Sequence, residues 1–105
     1  MARLEPREGS EQGGERPVII MSRDSINQNS PVVVVVPVTD RGHKRRLYPS
    51  HVVLKAGDGG LTKESVALGE QVRAINTTRF TSYMGHLSGN SLTQIAAALE
   101  IVLDL

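Results

Sequence analysis

The chain has 105 residues, enough for one domain, residues 1–105, with one modest core, so two-domain catalytic machines and long repeat arrays are excluded. Hydrophobic residues make up 39% and charged residues 22%, too apolar for a disordered chain; aromatics reach only 3%, so the core is built from Val, Ile, Leu and Ala. The formal net charge of +1 is too mild to point to nucleic acid by itself, but it is unevenly spread: residues 1–16 carry net −1, residues 17–55 net +4 and residues 56–105 net −2. A small-residue core in so short a chain covers apolar surface poorly, which predicts a homodimer. The lack of cysteine excludes disulfides, Cys-containing zinc sites and thiol nucleophiles, and fits a reducing compartment. No apolar run approaches the roughly 18 residues of a membrane span and the N-terminus lacks the order of a signal peptide, so a cytoplasmic protein without membrane association is expected.

In chain order, Val18-Ile19-Ile20-Met21 reads as a strand opened by Arg16-Pro17, where the missing N–H of proline is tolerated. Asp24 to Pro31 is turn chemistry throughout. Val32 to Val36 is an unbroken β-branched run reaching Pro37, Val38 and Thr39; five valines in a row predict a central strand covered on both faces. The basic run Arg41-Gly42-His43-Lys44-Arg45-Arg46 follows, and reads either as a solvated loop or as a rim that attracts phosphate. Val52-Val53-Leu54, Ser65 to Leu68 and Gln71 to Ile75 read as further strands, and Phe80 to Leu87 as one more short strand. Short strands at close spacing suggest a small barrel or sandwich.

The period then changes. Leu92, Ile95, Ala96, Leu99, Val102 and Leu103 fall on one face of a helix, and Ser91 with Gln94 gives a capping-box signature at its start. His43, His51 and His86 are scattered without ligand spacing, so no metal and no cofactor is expected. His51 reads as structural more readily than catalytic, and Arg73 either lines a groove or pairs with Glu70.

The most unusual stretch is Gly9-Ser10-Glu11-Gln12-Gly13-Gly14-Glu15-Arg16. Gly9 and Gly14 share the glycine spacing of a phosphate-binding P-loop, but Glu15-Arg16 replaces the required Lys-Ser/Thr and no helix follows. A flexible connection is the plain reading; Glu11 and Arg16 at its two ends add an acid/base group and a fixed cation.

The succession Gly9 to Gly14, Arg16-Pro17-Val18-Ile19, the valine strand ending Pro37-Val38-Thr39, Tyr48-Pro49-Ser50-His51-Val52 and Ser65 to Arg73 closely resembles the MazF/PemK/Kid family of toxin endoribonucleases. The resemblance runs from about residue 4 into the C-terminal helix. It implies a mainly β fold with a C-terminal helix, an SH3-like small β-barrel of the CcdB/PemK type, acting as a homodimer that cleaves single-stranded RNA without a metal. The ribose 2′-OH would attack its own phosphate, leaving a 2′,3′-cyclic phosphate and a 5′-OH. The family's catalytic arginine maps onto Arg16 and its threonine onto Thr39, with Glu11 matching a loop glutamate and Gln71 a glutamine that contacts bases. Ser10, Gln12, Arg41, Lys44 and Arg73 are further candidate RNA contacts. The implied partners are single-stranded RNA and a cognate antitoxin, with DNA reached only indirectly through the antitoxin.

Chemistry limits these roles. The reaction builds negative charge on phosphorus, so the guanidinium of Arg16 is a sound stabiliser and the Thr39 hydroxyl adds a donor. Arginine does not give up its proton near neutral pH, which makes Glu11 the candidate general base. Against the family pattern, Met1 falls inside the first strand, which predicts a truncated first strand and an open barrel edge. The competing expectation is a non-catalytic or truncated module of the same fold, one that sequesters antitoxin or inhibits gyrase as in the related CcdB family.

Overall fold

In the computed structural model, which describes residues 1–4, 14–43 and 46–105, the central element is a nine-residue strand from Val32 to Asp40. Around it, in chain order and among the described residues, lie β1 (Ala2–Arg3), β2 (Glu15–Arg16), β3 (Val18–Ile20), α1 (Asp24–Asn29), the central strand β4 (Val32–Asp40), β5 (His51–Leu54), β6 (Ser65–Leu68), β7 (Arg73–Asn76) and α2 (Gly89–Leu103). β4 pairs antiparallel with β3 on one flank; on the other, β7 takes its first half and β6 its second, and β5 continues beyond β6. The result is mainly β with one C-terminal helix, but among the described residues the pairings do not close into the expected barrel.

A central strand rarely accepts proline, yet β4 runs through Pro37. The N–H groups of Val34 and Val38 point to the β3 flank, bonding Ser22 Oγ at 3.1 Å and the Pro17 carbonyl at 2.9 Å. Successive N–H groups alternate sides, so the one Pro37 lacks would face the other flank. There the β7 register ends at Val35 and that of β6 begins at Val38, and no strand partner goes without a bond.

The valine run is not covered evenly. Val32 and Val34 are 42% and 38% exposed, whereas Val33 and every residue from Val35 to Thr39 is buried. Odd-numbered Val33 and Val35 join Ala2, Leu4 and Ile75 in one apolar cluster; Val36 and Val38 join Val52, Leu54, Leu61, Ala67, Ile95 and Ala98 in a second. The two faces of β4 thus serve two cores.

Several local readings are corrected. Asp24–Asn29 is a helical turn, not irregular loop: Asn27 Nδ2 donates to the Ser22 carbonyl at 2.9 Å, closing the β3–β4 hairpin despite poor helix formers. Residues 69–71 form a 3-10 turn, so β7 starts at Arg73 rather than at Gln71. Of the strand expected over Phe80 to Leu87, a single bridge from Phe80 to Ala2 is formed. The segment instead crosses Gly60, where a Cβ would come within 2.3 Å of the Met84 carbonyl oxygen and φ is +81°, so only glycine fits.

The cap of α2 is Ser88, one turn before the expected Ser91, its hydroxyl accepting from the Ser91 N–H at 3.2 Å. Asp58 holds this helix start, accepting from the Ser88 N–H at 2.8 Å and the Ser91 hydroxyl at 2.6 Å. Those bonds, the Ser91 hydroxyl foremost, keep its carboxyl below the usual range against a smaller opposing desolvation. The buried seam of α2 is Ser91, Ile95 and Ala98, with Leu99 and Val102 half-buried; Leu92 and Leu103 of the predicted face are 38% and 52% exposed. β1, Ala2–Arg3, pairs with Arg16 and Glu15, and Ala2 and Leu4 are fully buried.

Candidate active site

Arg16 ends β2, held from one side by β1 through the Ala2–Arg16 pairing. Pro17 follows, and its carbonyl accepts the Val38 N–H at 2.9 Å. Val18 faces Pro37 in the next register step. Carrying that antiparallel register back two residues sets Arg16 across from Thr39, and β2 packs against β4. Directly opposed residues of antiparallel strands project to the same face. Arg16 is half-buried and Thr39 is only 4% exposed, in register with Val66 on the other flank. Among the described residues the Thr39 hydroxyl has no hydrogen-bond partner, which leaves it available to a ligand.

Beyond Thr39 the charges are matched. Asp40 accepts the Gly42 N–H at 2.8 Å on Oδ1 and lies 3.4 Å from Lys63 Nζ through Oδ2. The Arg41 backbone N–H donates to the Glu64 carbonyl at 2.9 Å, and its Nε lies 3.8 Å from Glu64 Oε1. The start of the basic run is therefore an ion-paired rim beside Thr39 rather than a freely solvated loop.

Gln71 and Arg73 lie on the opposite flank of β4 from Arg16: Gln71 in the turn that joins β6 to β7, Arg73 in register with Val35. Among the described residues no ion pair joins Arg73 to Glu70. Glu70 has other partners. The Ser50 hydroxyl donates to Oε1 at 3.0 Å and His51 Nε2 lies 3.1 Å from Oε2. The His51 side chain is 1% exposed, with Tyr48 edge-on at a centroid distance of 5.4 Å. Burial pushes the Glu70 carboxyl up, but a backbone N–H, His51 and Ser50 together outweigh this and hold it below the usual range. Nothing in the local sequence announces this cluster, since its halves lie 19 and 20 residues apart.

Ser10, Glu11, Gln12 and Lys44 lie outside the described residues. A largely apolar groove of about 620 Å³ runs between β3 and the segment after Phe80, bordered by Ile20, Asn27, Tyr83, Met84 and Leu92. It reaches Pro17 and Val38, the neighbours of Arg16 and Thr39, but neither of those two lines it. Arg16 and Thr39 sit at strand ends, outside this largely apolar groove.

These features define the class first: a small, mainly β domain with one C-terminal helix and its polar groups gathered at strand ends. A family model for the PemK-like, MazF-like toxin of type II toxin-antitoxin systems matches residues 1–103. An endoribonuclease MazF of Staphylococcus saprophyticus is 38% identical over 105 residues, covering 100% of this chain and 87% of that protein. Among solved structures, MazF from Deinococcus radiodurans has a TM-score of 0.83 at 25% identity, covering 99% of this chain and 90% of that one. MazE-MazF from the same organism gives 0.77 at 25% identity, covering 99% and 89%. The chain belongs to the PemK-like, MazF-like toxins of type II toxin-antitoxin systems.

Proposed function

We propose that this toxin is an endoribonuclease that cuts single-stranded RNA without a metal, with Arg16 and Thr39 at the scissile phosphate. The carrying observation is the antiparallel register of β3 on β4, which extended by two residues sets Arg16 across from Thr39, whose buried hydroxyl has no partner among the described residues. In the reaction the ribose 2′-oxygen bonds to phosphorus as the bond from phosphorus to the 5′-oxygen breaks. The 2′-OH loses its proton and the 5′-oxygen gains one, leaving a 2′,3′-cyclic phosphate and a 5′-OH. Arg16 and Thr39 donate to the phosphoryl oxygens on which charge accumulates. Glu11 takes the 2′-OH proton, because no arginine does so near neutral pH.

Gln71 contacts bases, with Arg73, Ser10, Gln12, Arg41 and Lys44 along the RNA. Arg41 trades Glu64 for phosphate, a swap that makes binding salt dependent. The protein acts as a homodimer, which a small-residue core in so short a chain calls for, and is silenced by a cognate antitoxin, as the type II family and the MazE-MazF neighbour support. DNA is reached only through that antitoxin. No helix among the described residues is long and apolar enough to cross a membrane, and an RNA substrate fits a cytoplasmic site of action.

The 38% identical endoribonuclease favours this reading over a gyrase-directed or non-catalytic module. Purified protein is incubated with single-stranded RNA in EDTA: cleavage to cyclic-phosphate ends is expected, and Arg16→Ala slows it by roughly a hundredfold or more. Intact RNA, or an Arg16→Ala variant as active as its parent, overturns the reading.

A further inference from the structure

Gln71 sits in a three-residue turn, and the placement of its backbone depends on what holds that turn. The turn closes on itself weakly, through the Val72 N–H on the Gly69 carbonyl at 3.2 Å. Its stronger anchors come from the chain 20 residues earlier. The Gly69 N–H donates to the Ser50 carbonyl at 2.9 Å, and a Cβ at Gly69 would come within 2.6 Å of that same oxygen, so the two backbones touch. At the next residue both carboxylate oxygens of Glu70 are bound, Oε1 by the Ser50 hydroxyl and Oε2 by His51.

The imidazole of His51 is itself fixed. The Tyr48 N–H donates to Nδ1 at 3.1 Å, which leaves the ring proton on Nε2, facing Glu70. Both nitrogens are therefore engaged within the protein, and neither faces a substrate proton. A histidine needed only to fill a core space has no use for a carboxylate that is itself 40% exposed. A carboxylate beside an RNA contact also repels phosphate, unless its charge is absorbed by donors such as these.

We propose that His51 and Glu70 are positioning residues that clamp the 69–71 turn and thereby aim Gln71 at the RNA base. The inference rests on the RNA-cleaving reading above. His51 and Glu70 act on base selection and binding through Gln71, and not as a proton-transfer pair.

The test is steady-state cleavage of the single-stranded RNA that the wild-type protein cuts best from a random-sequence pool, and of its single-nucleotide variants. His51→Ala and Glu70→Ala are expected to raise KM about tenfold, the order of a lost charge-assisted hydrogen bond, and to flatten the preference among variants. The kcat and its pH profile stay as in the parent. His51→Ala adds nothing to Gln71→Ala, and the amide of Glu70→Gln restores most of the preference by keeping an acceptor for His51. Ser50→Ala, a milder change at the surface, gives a smaller loss of the same kind and covers the case in which the alanine at 51 does not fold. Additive losses with Gln71→Ala, a displaced pH profile, or lowered thermal stability with unchanged KM and preference overturn the proposal. If the wild-type protein leaves all RNA intact, the functional reading falls separately. The clamp is then judged by amide order from NMR relaxation over residues 69–72: raised mobility in Ser50→Ala and Glu70→Gln upholds it, and unchanged order overturns it.

Discussion

The two faces of β4 carry unequal cores. The helix-side core gathers Val36, Val38, Val52, Leu54, Leu61, Ala67, Ile95 and Ala98 from a sheet and a four-turn helix. The N-terminal core has five buried members, Ala2, Leu4, Val33, Val35 and Ile75, and depends on a two-residue strand. That strand is fastened by the Met1 amino group on the Ser82 carbonyl at 3.0 Å, the Thr81 N–H on the Met1 carbonyl at 3.0 Å and the Ala2–Phe80 bridge. Thr39 is held in the second half of β4 by its pairing with Val66 of β6, whereas Arg16 is held by β1 and hence by the smaller core. Stability therefore resides mainly on one side of β4, and the placement of Arg16, the proposed catalytic cation, on the other.

The largest effect on stability is expected on the helix side. Ile95 is 1% exposed among close neighbours, and Ile95→Ala removes about 3 kcal/mol by lost transfer energy and a cavity. Urea denaturation reads the loss, while cleavage per folded molecule stays near the parent's because Arg16 and Thr39 keep their register. If activity falls further than the folded fraction does, the two cores are coupled more tightly than their geometry indicates. Leu4→Ala is the converse. It costs less, about 2 kcal/mol, because a small cluster on a short strand collapses more readily around the gap. Its cleavage rate is nonetheless expected to fall well beyond the unfolded fraction, since β1 positions Arg16. Equal activity per folded molecule in the two variants would erase the distinction.

How much of this was legible in the sequence follows the same division. The valine strand, β3, β5, β6 and the C-terminal helix were readable because their apolar residues recur with the period of their own element. The helix face is misplaced by a few positions, since Leu92 and Leu103 are as apolar as Ile95 but only partly covered. The half-exposed start of β4 was hidden for a related reason: five consecutive valines carry no alternation from which to read a face. Phe80 to Leu87 has strand-like residues but finds one bridge, because Gly60 and Met84 approach too closely for a ladder. Arg16 and Thr39 are candidates by resemblance alone. Their register depends on the pairing of β3 with β4, which no spacing of 23 residues reveals. The Ser50–His51–Glu70 cluster escaped as a unit because its members come from separate elements.

A smaller stability change is expected at the helix start. Ser88→Ala removes the cap of α2 and a donor to Asp58, a loss of about 1 kcal/mol, read by the same denaturation. It falls on the larger core alone and leaves cleavage per folded molecule unchanged.

The smallest effect is a dependence on acid. Asp58 is held below the usual carboxylate range by the Ser91 hydroxyl first and the Ser88 N–H next, so its charged form is favoured by folding. The unfolded chain then binds the proton more readily, and stability from this group is present above about pH 4 and is lost as pH falls through the lowered folded value. Glu70 is depressed as well and adds a slope in the same direction. The two are separated by variants: Asp58→Asn flattens the part of the pH 7 to pH 3 stability profile that belongs to the helix start, and Glu70→Gln flattens the remainder. Both groups lie on the helix side of β4, against α2 and the turn beneath it. Acid is accordingly expected to loosen that side first, releasing amide protection in α2 before β1 and β2. Earlier loss in β1 and β2 would mean that the smaller core is the weaker one under acid as well.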